Sequence, residues 1–549
     1  MRFAGFTLAL AGIFAGSAFA QTPTVTQLAN IYSWTLPGLP NYGTARGSIF
    51  AIFGANLSST TVPLQAAPLQ TTLSGVSLSV KVNGATTQPL LYYLSPTQIN
   101  AVLPSATPVG TGTITVTTSG GVSAAFPIQV VESDFGLLTF NYGAGQLAGF
   151  DANNNYAYLG FSEAANPGDI LELWGTGLGP VADDNKGGAV SDPVEVDIGG
   201  ISAKVLYHGR SSYTGLDQIN VQVPAGVSGC NVSVAVVTGS YVSNFATLPV
   251  AASGRTCSDA ANPISISVLD GAAQSGSLSI GVVALIEATT PATVVGGQSF
   301  GGGTLESGFA GFFKITYSQL TQGATATGGG ATSLGSCVVN FYNASSASTT
   351  PPGFKFTYLN AGPDVNISGP DGALAMPLTS EGGIEVYATP PTATAFIPAS
   401  GGSFSFNNGG GGPDVGAFAT QLQLTSPLTW TNMDSISTVT RSNGLTVNWT
   451  GGDPSTYVSI TGTSFGSLNN SDSSFVVGDF TCQAPVAPGT FTVPASVLLS
   501  LPPSFTLLGV STSNLSVANV TAPVSFSATG LDVGWAEASV ENSIIVTYQ

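Results

Sequence analysis

Two stretches in the first half of the chain decide the fold. Gly47-Ser-Ile-Phe-Ala-Ile-Phe-Gly54-Ala-Asn-Leu57 matches Gly168-Asp-Ile-Leu-Glu-Leu-Trp-Gly175-Thr-Gly-Leu178 at an offset of 121 residues. Further on, Gln98-Ile-Asn-Ala-Val-Leu-Pro104 matches Gln218-Ile-Asn-Val-Gln-Val-Pro224 at an offset of 120 residues. Matching blocks in the same order and at nearly constant spacing predict two copies of one module.

Each copy has the pattern of short β-strands. Apolar and polar residues alternate in Val76–Val82 and in Val194–Ile198, which is the period of a strand with one buried face. Turn-forming pairs such as Asn83-Gly84 separate the strands. Between the matching blocks, Leu91-Tyr92 aligns with Leu206-Tyr207. Because no long helical pattern intervenes, we predict an all-β fold of tandem immunoglobulin-like β-sandwiches.

Chain length and breaks in the strand pattern divide the chain further. A chain of 549 residues is too long to fold around a single hydrophobic core and should hold about four modules. Strand patterning continues in the second half, and the sequence leaves open whether residues 264–549 form one module or two. The expected divisions are a signal peptide (1–20), a lead segment (21–46), module 1 (47–131), a connecting segment (132–167), module 2 (168–252), a linker (253–263), module 3 (264–400) and module 4 (401–549).

The first residues predict export. Arg2 precedes an apolar stretch over residues 3–14, and small residues follow in Ala18-Phe19-Ala20. This is the pattern of a secretory signal peptide cleaved before Gln21. No later stretch reaches the roughly 18 apolar residues of a membrane-spanning helix. We therefore expect a secreted, extracytoplasmic protein without a transmembrane segment, either free or associated with the cell surface.

Composition excludes some partners. Only 7% of residues are charged, and the net charge is −18 with ten Lys and Arg residues in total. So few cations provide no basic patch for phosphate groups, so neither nucleic acid nor an anionic membrane surface is an expected partner. A hydrophobic content of 43% with 9% aromatic residues argues against a disordered chain.

The four cysteines are Cys230, Cys257, Cys337 and Cys482. An even number in an exported chain favours disulfides over reactive thiols, and no C-x-x-C pair suggests a metal or redox site. Proximity in sequence favours pairing Cys230 with Cys257 and Cys337 with Cys482, although four cysteines allow three connectivities.

The ordered motifs resemble a known domain family. G-S-I-F-A-I-F-G-A-N-L, V-N-G, L-Y-Y-L-S-P-T-Q-I-N-A-V-L-P, G-D-I-L-E-L-W-G-T-G-L-G-P and L-D-Q-I-N-V-Q-V-P occur in this order between Ala45 and Val250. The series resembles the uncharacterised tandem Ig-like domain of secreted Solibacter-type acidobacterial proteins, and each copy also looks like an IPT/TIG module. The resemblance implies an Ig-like sandwich and export. That family has no established activity, so the resemblance implies no site residues.

Catalytic motifs are sparse. His208 is the only histidine, which argues against Ser-His-Asp, Cys-His and multi-histidine metal sites, and we interpret it as a loop residue beside Gly209. No G-x-S-x-G or H-E-x-x-H motif occurs. A two-carboxylate glycosidase would need no histidine. Its candidate residues are Glu163, Asp169, Glu172, Asp183, Asp184, Glu195 and Asp197. Outward-facing carboxylates are ordinary on such strands, so we expect no enzyme activity.

Two clusters of oxygen-bearing side chains suit a hard cation. They are Asp151-Ala-Asn153-Asn-Asn155 and Asp183-Asp184-Asn185. Their residue types fit calcium, but neither has the spacing of an EF-hand loop, and Asn/Asp runs commonly form turns. We therefore expect no cofactor and keep a calcium-stiffened stalk as a third hypothesis.

Tryptophans offer another type of contact. Trp174 and Trp449 lie in alternating apolar strands and are predicted to be core residues. Trp34 and Trp535 are less constrained by pattern and are the candidate ligand-contact aromatics.

The sequence favours a structural or adhesive protein. Low charge, hydroxyl-rich faces and many glycine turns suit tandem sandwiches that act as spacers, or as binding units for a polysaccharide or an extracellular or cell-envelope protein. The alternative is a carbohydrate-active enzyme or an accessory carbohydrate-binding protein.

Overall fold

The computed structural model of the protein describes residues 21–141, 143–259, 262–295, 298–300, 302–321, 332–343, 356–381, 384–390, 396–467 and 475–549. The signal peptide predicted for residues 1–20 lies outside this range. Strands dominate the described residues, which confirms the all-β fold of tandem sandwiches. Three short helices accompany them: α1 Ile266–Ser275, α2 Tyr317–Thr321 and α3 Ala495–Ser500.

Module 1 is a two-sheet sandwich. Its first sheet has the strand order β1-β3-β8-β7, and its second sheet has the order β2-β11-β9-β5-β4. The strands are β1 Thr24–Asn30, β2 Thr44–Ala45, β3 Ile49–Ala55, β4 Thr72–Leu73, β5 Val76–Val82, β6 Ala85–Thr87, β7 Leu90–Leu94, β8 Gln98–Val102, β9 Gly110–Thr118, β10 Gly121–Val122 and β11 Phe126–Val131.

The predicted start of module 1 at residue 47 is wrong. Strand β1 comes from the segment described above as a lead segment, and it pairs antiparallel with β3. Its Leu28 is buried in the same core as Phe50 and Ile52, because the β3 edge needs a partner strand and the core needs its apolar face.

Module 2 repeats this arrangement with additions. Its strands form one continuous set in the order β13-β14-β24-β22-β19-β20-β21-β17-β15-β16, in which β20 pairs with β19 at its start and with β21 further on. The strands are β12 Gly136–Leu137, β13 Thr139–Asn141, β14 Ala144–Leu147, β15 Gly149–Asp151, β16 Ala157–Tyr158, β17 Ile170–Thr176, β18 Gly188–Ala189, β19 Val194–Ile198, β20 Ile201–Arg210, β21 Asp217–Gln222, β22 Gly229–Thr238, β23 Tyr241–Val242 and β24 Ala246–Val250.

Strand register corrects one detail of the sequence alignment. Tyr93 lies opposite Asn100 in module 1, and Tyr207 lies opposite Asn220 in module 2. Each Tyr follows a β-bulge, which inserts one extra residue in β7 and in β20. The equivalent residues are therefore Tyr93 and Tyr207, and the alignment of Leu91-Tyr92 with Leu206-Tyr207 is wrong by one residue.

The second half of the chain is a single interleaved unit. One large sheet has the order β29-β40-β39-β44-β46-β25-β28-β33-β32-β31-β34-β35. The strands are β25 Ser277–Thr290, β26 Thr293–Val295, β27 Gln298–Phe300, β28 Gly303–Thr316, β29 Cys337–Asn343, β30 Thr357–Tyr358, β31 Asp364–Gly369, β32 Gly372–Glu381, β33 Ile384–Ala388, β34 Gly402–Asn407, β35 Ala419–Leu424, β36 Thr429–Trp430, β37 Thr438–Val439, β38 Leu445–Thr450, β39 Tyr457–Ser467, β40 Phe475–Pro485, β41 Thr490–Val493, β42 Thr506–Leu507, β43 Val510–Ser511, β44 Ser513–Val520, β45 Val524–Phe526 and β46 Val533–Tyr548.

A boundary at residue 400 between modules 3 and 4 is therefore wrong. Strand β29 pairs with β40 from the far side of that boundary. The long strand β46 places Ala538 and Val540 in one core and Val546 and Tyr548 in another. Each of these two cores is built from residues on both sides of position 400.

Both predicted disulfides are present. Cys230 bonds to Cys257, which ties the linker to β22, and Cys337 bonds to Cys482 across the β29–β40 pair. No helix among the described residues has the length and apolar character needed to cross a membrane.

Neighbouring modules are packed against one another. The Ile49 backbone N–H of module 1 donates to the Thr176 hydroxyl of module 2 over 2.8 Å. On the other side, Val242 and Phe245 of module 2 are buried in the same core as Trp449 of the C-terminal half. A hydrogen bond thus joins modules 1 and 2, and a shared core joins module 2 to the C-terminal half.

Candidate functional site

One row of side chains crosses the outer face of the module 2 sheet. Tyr207 lies opposite Asn220, Asn220 opposite Glu172, Glu172 opposite Phe150, and Phe150 opposite Tyr158. The five residues come from the adjacent strands β20, β21, β17, β15 and β16. We call this set the aromatic row. Since directly paired residues project from the same face of a sheet, all five side chains lie on one surface.

Alternation along the strands creates this surface. In β17, Leu171 and Leu173 are buried in the module 2 core, whereas Glu172 and Trp174 are half-buried on the opposite face. In β21, Asn220 lies on this outer face between the core residues Ile219 and Val221. Because successive residues of a strand point to opposite faces, one set of residues forms the core and the alternate set forms the outer face.

Tyr207 lies along its strand above a glycine. The Tyr207 side chain is 42% exposed. A Cβ added at Gly209 would lie 3.0 Å from the Tyr207 phenolic oxygen. The missing side chain at Gly209 therefore leaves room for the phenol ring, which lies over this glycine and is partly exposed.

The far end of the row is a pair of aromatic rings in tilted contact. Phe150 and Tyr158 have centroids 4.3 Å apart, and Tyr158 is 61% exposed. Both belong to the β15–β16 hairpin, whose loop holds Asn155 and Tyr156 in the left-handed backbone region. Non-glycine residues rarely adopt that conformation, and here the Ala157 N–H donates to the Asn154 carbonyl over 2.9 Å and closes the turn.

Polar groups with unused hydrogen-bonding capacity occupy the centre. Gln218 Nε2 donates to Asn220 Oδ1 over 2.8 Å, which leaves the Asn220 amide hydrogens and Gln218 Oε1 free. Among the described residues, no donor lies within hydrogen-bonding distance of the Glu172 carboxylate, and the buried Trp174 indole N–H has no acceptor. The structure therefore places Trp174 beside this polar centre and not in the core predicted for it.

Module 1 provides an internal comparison. The same Gln-to-Asn hydrogen bond recurs there, from Gln98 Nε2 to Asn100 Oδ1 over 2.8 Å. The positions of Glu172 and Phe150 are taken in module 1 by Ala51 and Ala29, both buried. The equivalent face of module 1 is therefore covered, and the open face belongs to module 2.

An ion-paired cluster anchors the base of the row. Arg255 Nη1 donates to Asp151 Oδ2 over 2.7 Å and also to Asp169. Burial is the main cause that raises the pKa of Asp151, with the adjacent Asp169 adding to it. For Asp169, burial is outweighed by the Asn166 N–H and by Arg255, so its pKa is lowered. The linker thus fastens β15 to the start of β17.

The predicted glycosidase carboxylates have separate roles. Asp197 accepts from the Ser496 hydroxyl, and Glu163 accepts from the Asn154 amide. Glu195 lies exposed on β19, which is outside the row. Asp151 and Asp169 do meet, but Arg255 bridges them. Asp183 pairs with Lys186, and none of the candidates other than Glu172 belongs to the aromatic row.

Protein groups bind the predicted calcium ligands. Asp184 accepts from the Ser105 backbone N–H and hydroxyl, and Asn185 accepts from the Leu69 N–H. In the other cluster, Asn153 Oδ1 accepts from the Ile170 N–H. In the described part of the chain, no group of three or more His, Cys, Asp or Glu side chains is arranged to hold a metal ion.

The remaining predicted site residues lie away from the row or below its surface. Trp535 is 6% exposed in a core with Leu278 and Ile280, so its assignment as a ligand-contact residue is wrong. Trp34 is half-buried, and its ring lies 5.5 Å from Phe53 on the covered face of module 1. His208 lies on β20 and not in a loop, at the position that Leu94 takes in module 1.

Sequence reasoning missed Tyr207, Phe150 and Tyr158. Two signals were present. The repeated Gln-Ile-Asn motif marks an outer face in both modules, and the connecting segment 132–167 is longer than the lead segment 21–46, which supplies the equivalent strand of module 1. That segment contributes the β15–β16 hairpin and therefore two of the five residues of the aromatic row.

Comparisons with known proteins identify no family. No family model and no curated protein matches the chain. Among solved structures, it is similar to SGBP-B of the Bacteroides ovatus mixed-linkage glucan utilization locus in complex with a mixed-linkage heptasaccharide, at 12% identity over 55% of this chain and 71% of that chain, with a TM-score of 0.22. It is also similar to SGBP-B from a complex xyloglucan utilization locus in Bacteroides uniformis, at 9% identity over 86% and 96%, with a TM-score of 0.15. A tandem of titin Ig domains matches at 10% identity over 38% and 91%, with a TM-score of 0.12. Likenesses this distant assign no ligand to the chain.

Proposed function

We propose that this protein is a non-catalytic, extracytoplasmic polysaccharide-binding protein, and that the open outer face of module 2 contacts the sugar. The observation that carries the proposal is the aromatic row, in which exposed rings at both ends flank an amide and a carboxylate. The other modules then act as a rigid support for this face.

The chemistry of the row matches the chemistry of a sugar ring. A pyranose has an apolar face of C–H groups and an edge of hydroxyl groups. The exposed face of Tyr207 offers apolar area to the former. The free Asn220 amide hydrogens donate to hydroxyl oxygens, and the unpaired Glu172 carboxylate accepts from hydroxyl hydrogens.

Binding without hydrolysis is the better interpretation of the carboxylates. Glycoside hydrolysis by the common mechanism requires two carboxyl groups on either side of one bond. The aromatic row contains only Glu172, whose cross-strand neighbours are Asn220 and Phe150. Arg255 bridges the nearest carboxyl pair, Asp151 and Asp169. These contacts support a binding role for Glu172.

The disulfides support a location outside the cytoplasm. Cys230–Cys257 and Cys337–Cys482 bonds persist in oxidising compartments and are rare in reducing ones. The polysaccharide or cell-envelope partner expected from the sequence fits this location.

Affinity electrophoresis tests the proposal. The mature chain, residues 21–549, is run in native gels containing hydroxyethylcellulose, galactomannan or soluble starch. We expect retardation in at least one of these gels, and loss of most of it in Tyr207→Ala and Glu172→Ala. The matched controls are Tyr342→Ala, an exposed Tyr on β29, and Glu195→Ala on β19. No retardation in any gel, or equal loss in the controls, would contradict the proposal.

A further inference from the structure

Resting on that proposed function, we infer that the aromatic row binds a single, soluble, neutral polysaccharide chain along its length, with several consecutive sugar units in contact. Single sugars and crystalline polysaccharide surfaces are excluded as ligands. Three features of the row lead to this inference: its length, its twist and its charge.

The length of the row requires an extended ligand. Tyr207 and Tyr158 are separated by four steps between adjacent strands. At about 4.8 Å per step, the two rings lie about 19 Å apart across the sheet. A monosaccharide reaches one end only. One chain of several sugar units reaches both rings and passes over Asn220 and Glu172 on the way.

The twist of the sheet excludes a flat crystalline surface. Adjacent strands rotate by about 20 to 25° relative to one another. Over the four steps from Tyr207 to Tyr158, the exposed ring faces therefore diverge by about 80 to 100°. A rigid flat surface contacts one end at a time. A single dissolved chain rotates about its glycosidic bonds and follows the twist.

The charge of the face excludes acidic polysaccharides. Glu172 lies at the centre, and its carboxylate has no ion-pair partner among the described residues. Of the nearby cations, Arg255 is bound to two carboxylates, and Lys204 is a single exposed cation on β20 opposite Gln222, so the face has no cluster of cations to attract an acidic chain. The whole chain carries a net charge of −18. A uronate-rich chain would place its carboxylates beside Glu172, so repulsion would oppose binding.

The first experiment separates the ligand classes. The mature chain is tested by affinity electrophoresis against the three neutral soluble polysaccharides and against polygalacturonate and alginate, and by sedimentation with microcrystalline cellulose and chitin. We expect binding to a neutral soluble polysaccharide alone, unchanged when NaCl rises from about 0.05 to 0.5 M. Retention by polygalacturonate or alginate, or loss of binding with salt, would overturn the neutral-ligand inference. Sedimentation with crystalline material would overturn the single-chain inference.

The second experiment measures the length of the site. Oligosaccharides of increasing length, cut from the polysaccharide that binds, are titrated calorimetrically. We expect affinity to rise with length and then level off. For the longest ligand, Tyr207→Ala and Tyr158→Ala should each weaken binding about tenfold, the factor that 1.4 kcal/mol gives. For the disaccharide, at most one of them should matter. Tyr342→Ala should change neither.

The outcomes distinguish this inference from the proposed function. If a monosaccharide binds as tightly as the polymer and Tyr207→Ala still abolishes binding, the face binds sugar but the extended mode is wrong. If no saccharide binds in any form, the proposed function itself is wrong.

Discussion

Tyr207 and Gly209 together create part of the proposed binding surface of module 2. Because Gly209 has no side chain, the phenol ring of Tyr207, two residues earlier, has room to lie along the strand. The ring face, rather than the hydroxyl, is then the main contact offered to a ligand.

This geometry gives a prediction for conservative and non-conservative changes. Tyr207→Phe keeps the ring and should retain affinity for the polysaccharide within about threefold. Tyr207→Ala removes the ring and should weaken binding about tenfold. Calorimetric titration of both variants checks the prediction. Equal losses in the two variants would assign the contact to the hydroxyl and contradict the stacking role.

A second residue contributes to the dependence of stability on pH. Asp134 is fully buried between modules 1 and 2, its Oδ2 has no partner among the described residues, and burial raises its pKa well above the ordinary value. The folded chain therefore binds this proton more tightly than the unfolded chain does. Above the ordinary pKa of about 4, the free energy of unfolding must fall as pH rises until the folded-state pKa is passed.

We expect Asp134→Asn to reduce this pH dependence. The melting temperature of the unmodified chain should fall between pH 5 and pH 8, and the fall should be smaller in the variant. Asp453→Asn is the control, because its carboxyl is exposed and its pKa is lowered. Thermal scans across that pH range test the prediction. Identical slopes of melting temperature against pH in the parent chain and in Asp134→Asn would refute the role of Asp134.

At the level of strands, the sequence predicted the repeated parts better than the added parts. Alternation identified β5 and β19, and the repeat identified β3 and β17, since core burial imposes period two on both copies. The β15–β16 hairpin was missed because its strands are two and three residues long, too short for alternation to register. The boundary at residue 400 failed because pairing of β29 with β40 depends on distant residues.

The candidate site was predictable only in part. Glu172 was identified as a carboxylate on the opening strand, but its neighbours depend on strand register, which sequence alone does not give. The bulge before Tyr207 shifts that residue onto the outer face. Trp535 was misassigned because its segment folds into a core with α1 residues that lie far away in sequence.

The two disulfides should differ in their effect on stability. They close loops of 27 and 145 residues. Loop-closure entropy gives about 3.5 kcal/mol for the first and about 5 kcal/mol for the second. Replacing Cys337 and Cys482 by Ser should therefore lower thermal stability more than replacing Cys230 and Cys257. Calorimetric scans of the two double variants measure the difference, and the reverse order would contradict it.

Across the whole molecule, shared cores make the modules interdependent. Val242 and Phe245 belong to module 2 by sequence, yet they pack among residues of the C-terminal half such as Trp449. Freely jointed sandwiches would not bury such side chains in a neighbour. The open face of module 2 is thus presented from a rigid frame, which limits the entropy lost on binding an extended chain.

This interdependence predicts opposite effects of one substitution. In the full chain, Phe245→Ser should destabilise the fold by at least about 3 kcal/mol, because it empties a packed site. In a chain ending at Ser258, which keeps Arg255 and the Cys230–Cys257 disulfide, the same substitution should improve solubility, because the C-terminal half no longer covers Phe245. Denaturant titration of the first and light scattering of the second check the pair. A truncated chain that stays soluble with Phe245 intact would argue against the shared core.

Hydrogen exchange of the mature chain, with and without the neutral polysaccharide that retards it in gels, tests the central claim most directly. We predict that ligand-induced protection is confined to peptides covering residues 149–158, 170–176 and 204–222, which hold the aromatic row. Protection located instead in module 1 or in the C-terminal sheet, with none on these peptides, would show that the sugar binds elsewhere.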